Sequence, residues 1–174
     1  MTKICRILLS LSIVPTALGL TSCGDRTPTA ADAPSNNISR DMTQSGTGLV
    51  LCTPLSVDSI TQVVGPSGGT IIVGPHSFTV PAGALDSAVA ITAVIPSDST
   101  NRIVFQPSGL TFQQPATLTM SYANCGVLGT VLPKEIAYVD DLLNILYYLA
   151  SAGNSQSQTV TAQVQHFSDY AVAW

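Results

Sequence analysis

The sequence predicts an all-β protein: an antiparallel β-sandwich preceded by a signal peptide and a disordered tether. Three observations carry that prediction. The 174 residues are 45% hydrophobic and only 9% charged, yet past the N-terminus no apolar run approaches the roughly 18 residues of a spanning helix. Lys and Glu, which soluble helices bring to their surfaces, are reduced to Lys3, Lys134 and Glu135. Short runs of Val, Ile and Thr recur instead, with period-two alternation and Gly or Pro between them, the signature of strands and turns. The length suits one domain with a tail. With 6 basic against 10 acidic residues, the chain offers little to a nucleic acid, whose binding rests on cationic side chains.

Residues 1–22 read as a lipoprotein signal peptide. Lys3 and Arg6 form a basic n-region, and Ile7 to Leu20 is an apolar stretch too short and wrongly flanked for a stable span. The stretch ends in Leu20-Thr21-Ser22-Cys23, which resembles the bacterial lipobox. Small residues before the cysteine admit the backbone to a peptidase, and the Cys23 thiol is the group suited to accept a diacylglycerol thioether. Cys23 is therefore the expected lipidation site, carrying acyl chains such as palmitate and anchoring the mature protein to a membrane. Gly24, where an Asp would favour inner-membrane retention, favours the outer membrane of a bacterial cell envelope. Cleavage before Cys23 discards Lys3 and Arg6 and leaves 4 basic against 10 acidic residues, a net charge of −6.

Residues 23–48 are rich in Thr, Ala, Pro, Ser, Asn and Gly and nearly free of large apolar side chains. Such a segment cannot offset its ordering entropy by burial, so it reads as a flexible tether. The sandwich is expected over 49–174. Its strands are expected at 59–64, 70–73, 76–80, 88–95, 103–105, 109–112, 116–122, 136–139, 145–151, 159–165 and 170–173. Gly65-Pro66, Gly74-Pro75, Pro81-Ala82-Gly83 and Pro96 punctuate them. Asp140 to Ala150 is ambiguous, because its Leu-rich run behind an Asp suits a capped helix as well as a turn and strand.

Once Cys5 is removed and Cys23 acylated, Cys52 and Cys125 remain, with 72 residues between them. An oxidising envelope compartment favours a disulfide, and two buried thiols are the alternative. A zinc site is not expected, since neither cysteine has a second ligand at close spacing.

Gly68-Gly69-Thr70-Ile71 and Phe78-Thr79-Val80-Pro81-Ala82-Gly83-Ala84-Leu85 resemble the ZU-five domain, named from zonula occludens proteins and netrin receptors. The similarity continues through Gln106 to Phe112, Pro115 to Thr119, Thr159 to Ala162 and His166 to Val172, in the expected order. The resemblance implies a β-sandwich used as a structural or protein-interaction module. It also draws 140–150 toward a turn followed by a strand. Gly69 and Gly83 fit as positions where a tight corner needs positive φ.

The resemblance implies one reaction as well. In some ZU-five-containing proteins a His-Phe-Ser triplet cleaves itself between Phe and Ser. Here Ser168 would be the nucleophile, Phe167 would supply the scissile carbonyl and His166 would be the base. The alternative is a bend into the last strand, with Phe167 in the core and Ser168 bonded to the backbone. No Gly-x-Ser-x-Gly elbow supports another serine chemistry, and His76, after Pro75, is expected on a solvent-facing loop. Asp140-Asp141 lacks the spaced ligands of a calcium loop and reads as a solvated turn. Gly65 to Gly69 lacks the Lys of a phosphate loop. Tyr147, Tyr148 and Trp174 would serve either as a sugar-binding surface or as packing. The expected function is non-enzymatic binding or scaffolding of a protein or glycan at the envelope, without a cofactor or metal. Self-cleavage and carbohydrate binding are the alternatives.

Overall fold

A computed structural model describes residues 48–126 and 132–174, which fold as two antiparallel sheets facing each other. The signal peptide, Cys23 and nearly all of the tether lie outside the described residues. Eleven strands follow in order: β1 (Asp58–Val64), β2 (Gly69–Val73), β3 (His76–Val80), β4 (Val89–Ile95), β5 (Arg102–Gln106), β6 (Thr111–Ser121), β7 (Glu135–Val139), β8 (Ile145–Leu149), β9 (Ser151–Asn154), β10 (Thr159–His166) and β11 (Asp169–Ala173). The larger sheet runs β1-β4-β5-β11-β7-β8 and the smaller β2-β3-β6-β10-β9. No helix forms among the described residues, so the expected fold class holds.

Alternation builds the core. Ile91, Ala93 and Ile95 of β4 and Ile103 and Phe105 of β5 face Leu118 and Met120 of β6 and Val160 and Val164 of β10, all buried. Each fully buried Leu, Ile or Phe contributes roughly 1.5–3 kcal/mol relative to exposure. All four phenylalanines meet at one end of this layer: Phe105 and Phe167 stack at 4.9 Å, and Phe78 and Phe112 lie 5.4 and 5.1 Å from Phe167. A second, smaller apolar cluster, Leu49 with Ala137, Val139, Ala171 and Ala173, lies apart from the main core. Strand alternation puts these alanines on the outer face of the larger sheet, where Leu49 pairs with Ala173 as the chain joins the domain.

The structure corrects three expectations. The strands expected at 109–112 and 116–122 are one, β6. Between its pairings His166↔Thr111 and Val164↔Ala116 it carries a bulge, and exposed Pro115 is tolerated there because no ladder hydrogen bond is required of it. The strand expected at 145–151 is two: β8 pairs with β7 in the larger sheet, while β9 pairs with β10 in the smaller. Ser151 holds the crossing, accepting from Ile136 N–H at 2.9 Å and donating to Leu149 O at 2.7 Å. In the Gly68-Gly69 pair the positive φ, +74°, belongs to Gly68, and a Cβ there would lie 2.8 Å from the Pro81 carbonyl carbon. Gly83 has the expected positive φ.

The ambiguous stretch resolves to turn and strand. Asp140 Oδ1 accepts from the N–H groups of Leu142 and Asn144, and Oδ2 from the Asn144 side chain, each at 2.9 Å. An Asp that can close a turn on its own backbone competes with the helix it could cap. Cys52 and Cys125 form a disulfide. It joins the segment leading into β1 to the turn after β6, and Thr53 N–H to Asn124 O at 2.8 Å reinforces the same junction.

Candidate functional site

Three places hold the side chains with chemistry in them. The first is the bend between β10 and β11. Phe167 is buried and pinned by the aromatic cluster, while His166 and Ser168 are half-buried beside it. The Phe167 N–H donates to Leu110 O at 2.7 Å, and its carbonyl accepts from Gly109 N–H at 3.1 Å. His166 Nδ1 lies 3.4 Å from that same carbonyl oxygen. Buried Tyr170 donates its hydroxyl to His166 O at 2.6 Å, and burial pushes its phenol well above the ordinary range. The bend thus brings the Gly109 N–H and the His166 ring to one carbonyl, that of Phe167. Phe167 fills the core as the bend reading requires, but no hydrogen bond from the Ser168 hydroxyl is found among the described residues. Nor is the backbone here in a left-handed conformation: the described non-glycine residues with positive φ are Leu143 and Gln158. Gly109, missed from sequence, lies in the Gln106 to Phe112 segment, and its role as donor depends on a register no local pattern encodes.

The second place is β8. Tyr148 pairs with Ala137 and Tyr147 with Tyr138, so the two adjacent tyrosines point to opposite faces of the sheet. Tyr147 is 66% exposed, and Leu146 and Leu142 are also open to solvent. Trp174 is partly buried against the main core. Tyr147 and Tyr148 therefore do not form one flat aromatic face. Tyr148 lies over the start of the domain: a Cβ on Gly48 would sit 2.6 Å from its hydroxyl.

The third place is internal. His76 is buried on the inner face of β3 with Phe78 and Val80, not on a solvent-facing loop. Its Nδ1 accepts from Ser121 N–H at 3.1 Å, which puts the ring proton on Nε2. Among the described residues, neither Nε2 nor the buried Asn101 Oδ1 has a hydrogen-bond partner. Asn101 is held by its amide, which donates to Ser121 O at 2.5 Å and Asn124 Oδ1 at 3.2 Å. Burial lowers the His76 pKa from 6.5 to about 4, and neighbouring Asn101 offsets only part of that.

Elsewhere, a pocket of about 270 Å³ is lined by residues that include Leu85, Val89, Leu110 and Phe112, with Asp86 and Gln113 bonded to each other beside them at 2.6 Å. Arg102 bridges Asp98 at 2.8 Å and Asp169 at 3.3 Å. Hydrogen bonds from Asn144 hold the Asp140 carboxyl below the usual carboxylate range. Those bonds give Asp140 to its own turn, and no group of three or more His, Cys, Asp or Glu that could hold a metal occurs among the described residues. No family model matches the chain, and no curated protein matches it.

Proposed function

We propose that this chain is a bacterial cell-envelope lipoprotein, anchored through Cys23 and favouring the outer membrane. Its ZU-five-like sandwich acts as a non-enzymatic binding or scaffolding module. The observation that carries the binding reading is the exposed apolar edge at β8, where Leu146, Tyr147 and Tyr148 meet solvent together with Leu142 of the preceding turn. Exposed apolar side chains gathered along one edge strand mark contact sites. The sequence around Cys23 supports the anchor, and Gly48 marks where a tether from it would join the domain. The test combines mass spectrometry with crosslinking in cells. The mature N-terminus is expected to be diacylated Cys23, the C23A variant is expected to leave the membrane fraction, and crosslinking is expected to give a discrete adduct. A soluble wild-type protein refutes the anchor, and absence of any adduct refutes the module.

Self-cleavage is the second reading, favoured by the Phe167 carbonyl receiving Gly109 N–H with His166 alongside. Ser168 Oγ would attack the Phe167 carbonyl carbon as its proton passes to His166. The Ser168 nitrogen would take that proton from His166 as the peptide C–N bond breaks, leaving an ester and a free amine, and water would hydrolyse the ester to the Phe167 acid and the Ser168 hydroxyl. Ordinary φ values at this bend supply none of the backbone strain that would help. Intact mass after denaturation decides: loss of the peptide Ser168 to Trp174 supports cleavage, and a single uncleaved mass removes it.

A further inference from the structure

We infer that the outer edge of β8, the end strand of the larger sheet among the described residues, is a docking site for an extended, cationic segment of another protein, which adds a strand to that sheet. This rests on the binding reading above and names its partner class. The four sheet edges are β1, β8, β2 and β9. The other three offer less to an added strand. β1 is tied across to the smaller sheet by its Asp58 carboxylate, which accepts from Gly74 N–H at 2.7 Å. β2 begins in the tight turn at Gly68-Gly69, and β9 has only four residues, Ser151–Asn154. β8, Ile-Leu-Tyr-Tyr-Leu, differs from them in setting three consecutive large apolar side chains, Leu146, Tyr147 and Tyr148, in solvent, with no Pro, Lys or Glu to guard the edge against added strands.

Charge decides the occupant. Asp140 and Asp141 lie at the β7–β8 turn, and Glu135 flanks the other end of the strand pair, one residue before the Ile136↔Leu149 pairing. Lys and Arg among the described residues are two. Arg102 is held between Asp98 and Asp169, and Lys134 is buried, donating to Leu132 O. A second copy of this domain therefore has no free cation to set against the acidic ends of β8. A foreign segment that alternates apolar side chains with Lys or Arg does. Its backbone would pair with the strand, its apolar residues would cover Tyr147 on one face of the sheet, and its cations would meet the carboxylates at the ends of β8.

The probe is an acetylated, amidated nonapeptide of alternating Val and Lys, titrated by fluorescence anisotropy against the full chain at low salt. Binding is expected, with slowed amide exchange at Ile145 to Leu149. The double variant L146K/Y147K changes exposed side chains only and is expected to weaken binding at least tenfold. D141N is expected to weaken it several-fold, and added salt should do the same. A Val/Glu peptide, and the Val/Lys peptide N-methylated at alternate residues, are expected not to bind. Equal binding of both charge versions, undiminished binding of the N-methylated peptide, or protection mapping away from β8 overturns the proposal. So does uptake by phosphatidylcholine vesicles that L146K/Y147K abolishes while no peptide binds, since that assigns the patch to a membrane. A crosslinked adduct in cells that persists unchanged in L146K/Y147K refutes β8 as the site and leaves the broader binding reading standing.

Discussion

Buried His76 makes the sandwich acid-sensitive in a way that can be worked out in advance. Nδ1 is committed to Ser121 N–H, so a second proton would have to enter a ring that is 1% exposed and has no counter-charge in hydrogen-bond contact. The pKa accordingly falls from 6.5 in the unfolded chain to about 4 in the folded one. As pH drops below 6.5 the unfolded chain takes up a proton that the folded chain refuses, so stability is complete above that pH and is lost toward pH 4. At 1.36 kcal/mol per pH unit, the loss reaches about 3 kcal/mol by pH 4. Carboxylates titrate in the same window, so the measurement needs a reference that lacks only the imidazole. His76→Gln keeps an acceptor for Ser121 N–H and does not titrate. Urea unfolding of both proteins at pH 7, 6, 5 and 4 is expected to show the wild type losing about 3 kcal/mol more than the variant across the series. Parallel curves would refute the reasoning, as would an NMR titration placing the His76 midpoint near 6.5.

Further expectations concern the staple, the bend and the corners. Replacing both Cys52 and Cys125 by Ala releases a loop whose ends are 73 residues apart; loop-closure entropy sets the loss near 4 kcal/mol at most, read as a lower urea midpoint. Free thiols in the non-reduced, denatured wild type would contradict the pairing itself. Phe167→Ala empties the centre of the aromatic cluster and is expected to cost about 3–5 kcal/mol in urea unfolding, whereas Ser168→Ala should leave stability within about 0.5 kcal/mol. A large loss in Ser168→Ala would show a structural bond that the bend does not display. Gly68→Ala meets both a positive φ and the backbone of Val80 to Ala82, while Gly109→Ala meets positive φ in open space. Thermal unfolding should therefore place the first well below the second, which costs only about 1 kcal/mol; equal losses would mean that the close approach at Gly68 is not felt.

How much of this was legible depended on whether a feature is local. Period-two alternation located β3 and β10 closely because each strand has one core face and one outer face, so the pattern repeats without help from distant residues. The same alternation puts His76 on the face of Phe78 and Val80, and the structure follows it rather than the turn signal of Gly74-Pro75. Pro115 looked like a strand break because a bulge needs a partner strand to define it, and that partner, β10, lies far along the chain. The crossing at Ala150 was invisible for a related reason: β8 and β9 differ only in which sheet they join. Gly109 and Asn101 carry no local mark at all, since each matters through a neighbour brought by topology.

The position of the disulfide ties these elements into one mechanical argument. Past Gly48 the chain first docks by Leu49 against Ala173 and by Val50 N–H to Val172 O at 2.9 Å, both contacts on the last strand of the larger sheet. Two residues later Cys52 crosses to Cys125, beyond β6 of the smaller sheet. A pull applied at Gly48 would meet a short hydrogen-bonded segment first, which alone could peel residue by residue. The covalent link stops that peeling at Cys52 and passes load into both sheets at once. It protects the first apolar contacts, Leu49 and Val50, only indirectly, since they lie on the tether side of the link. Amide exchange at Val50 should therefore accelerate modestly in the oxidised protein under partial urea, while Thr53 stays protected. In the Cys52→Ala/Cys125→Ala protein both should accelerate together, and unchanged protection of Thr53 there would show that the hydrogen bond to Asn124 holds the junction without the disulfide.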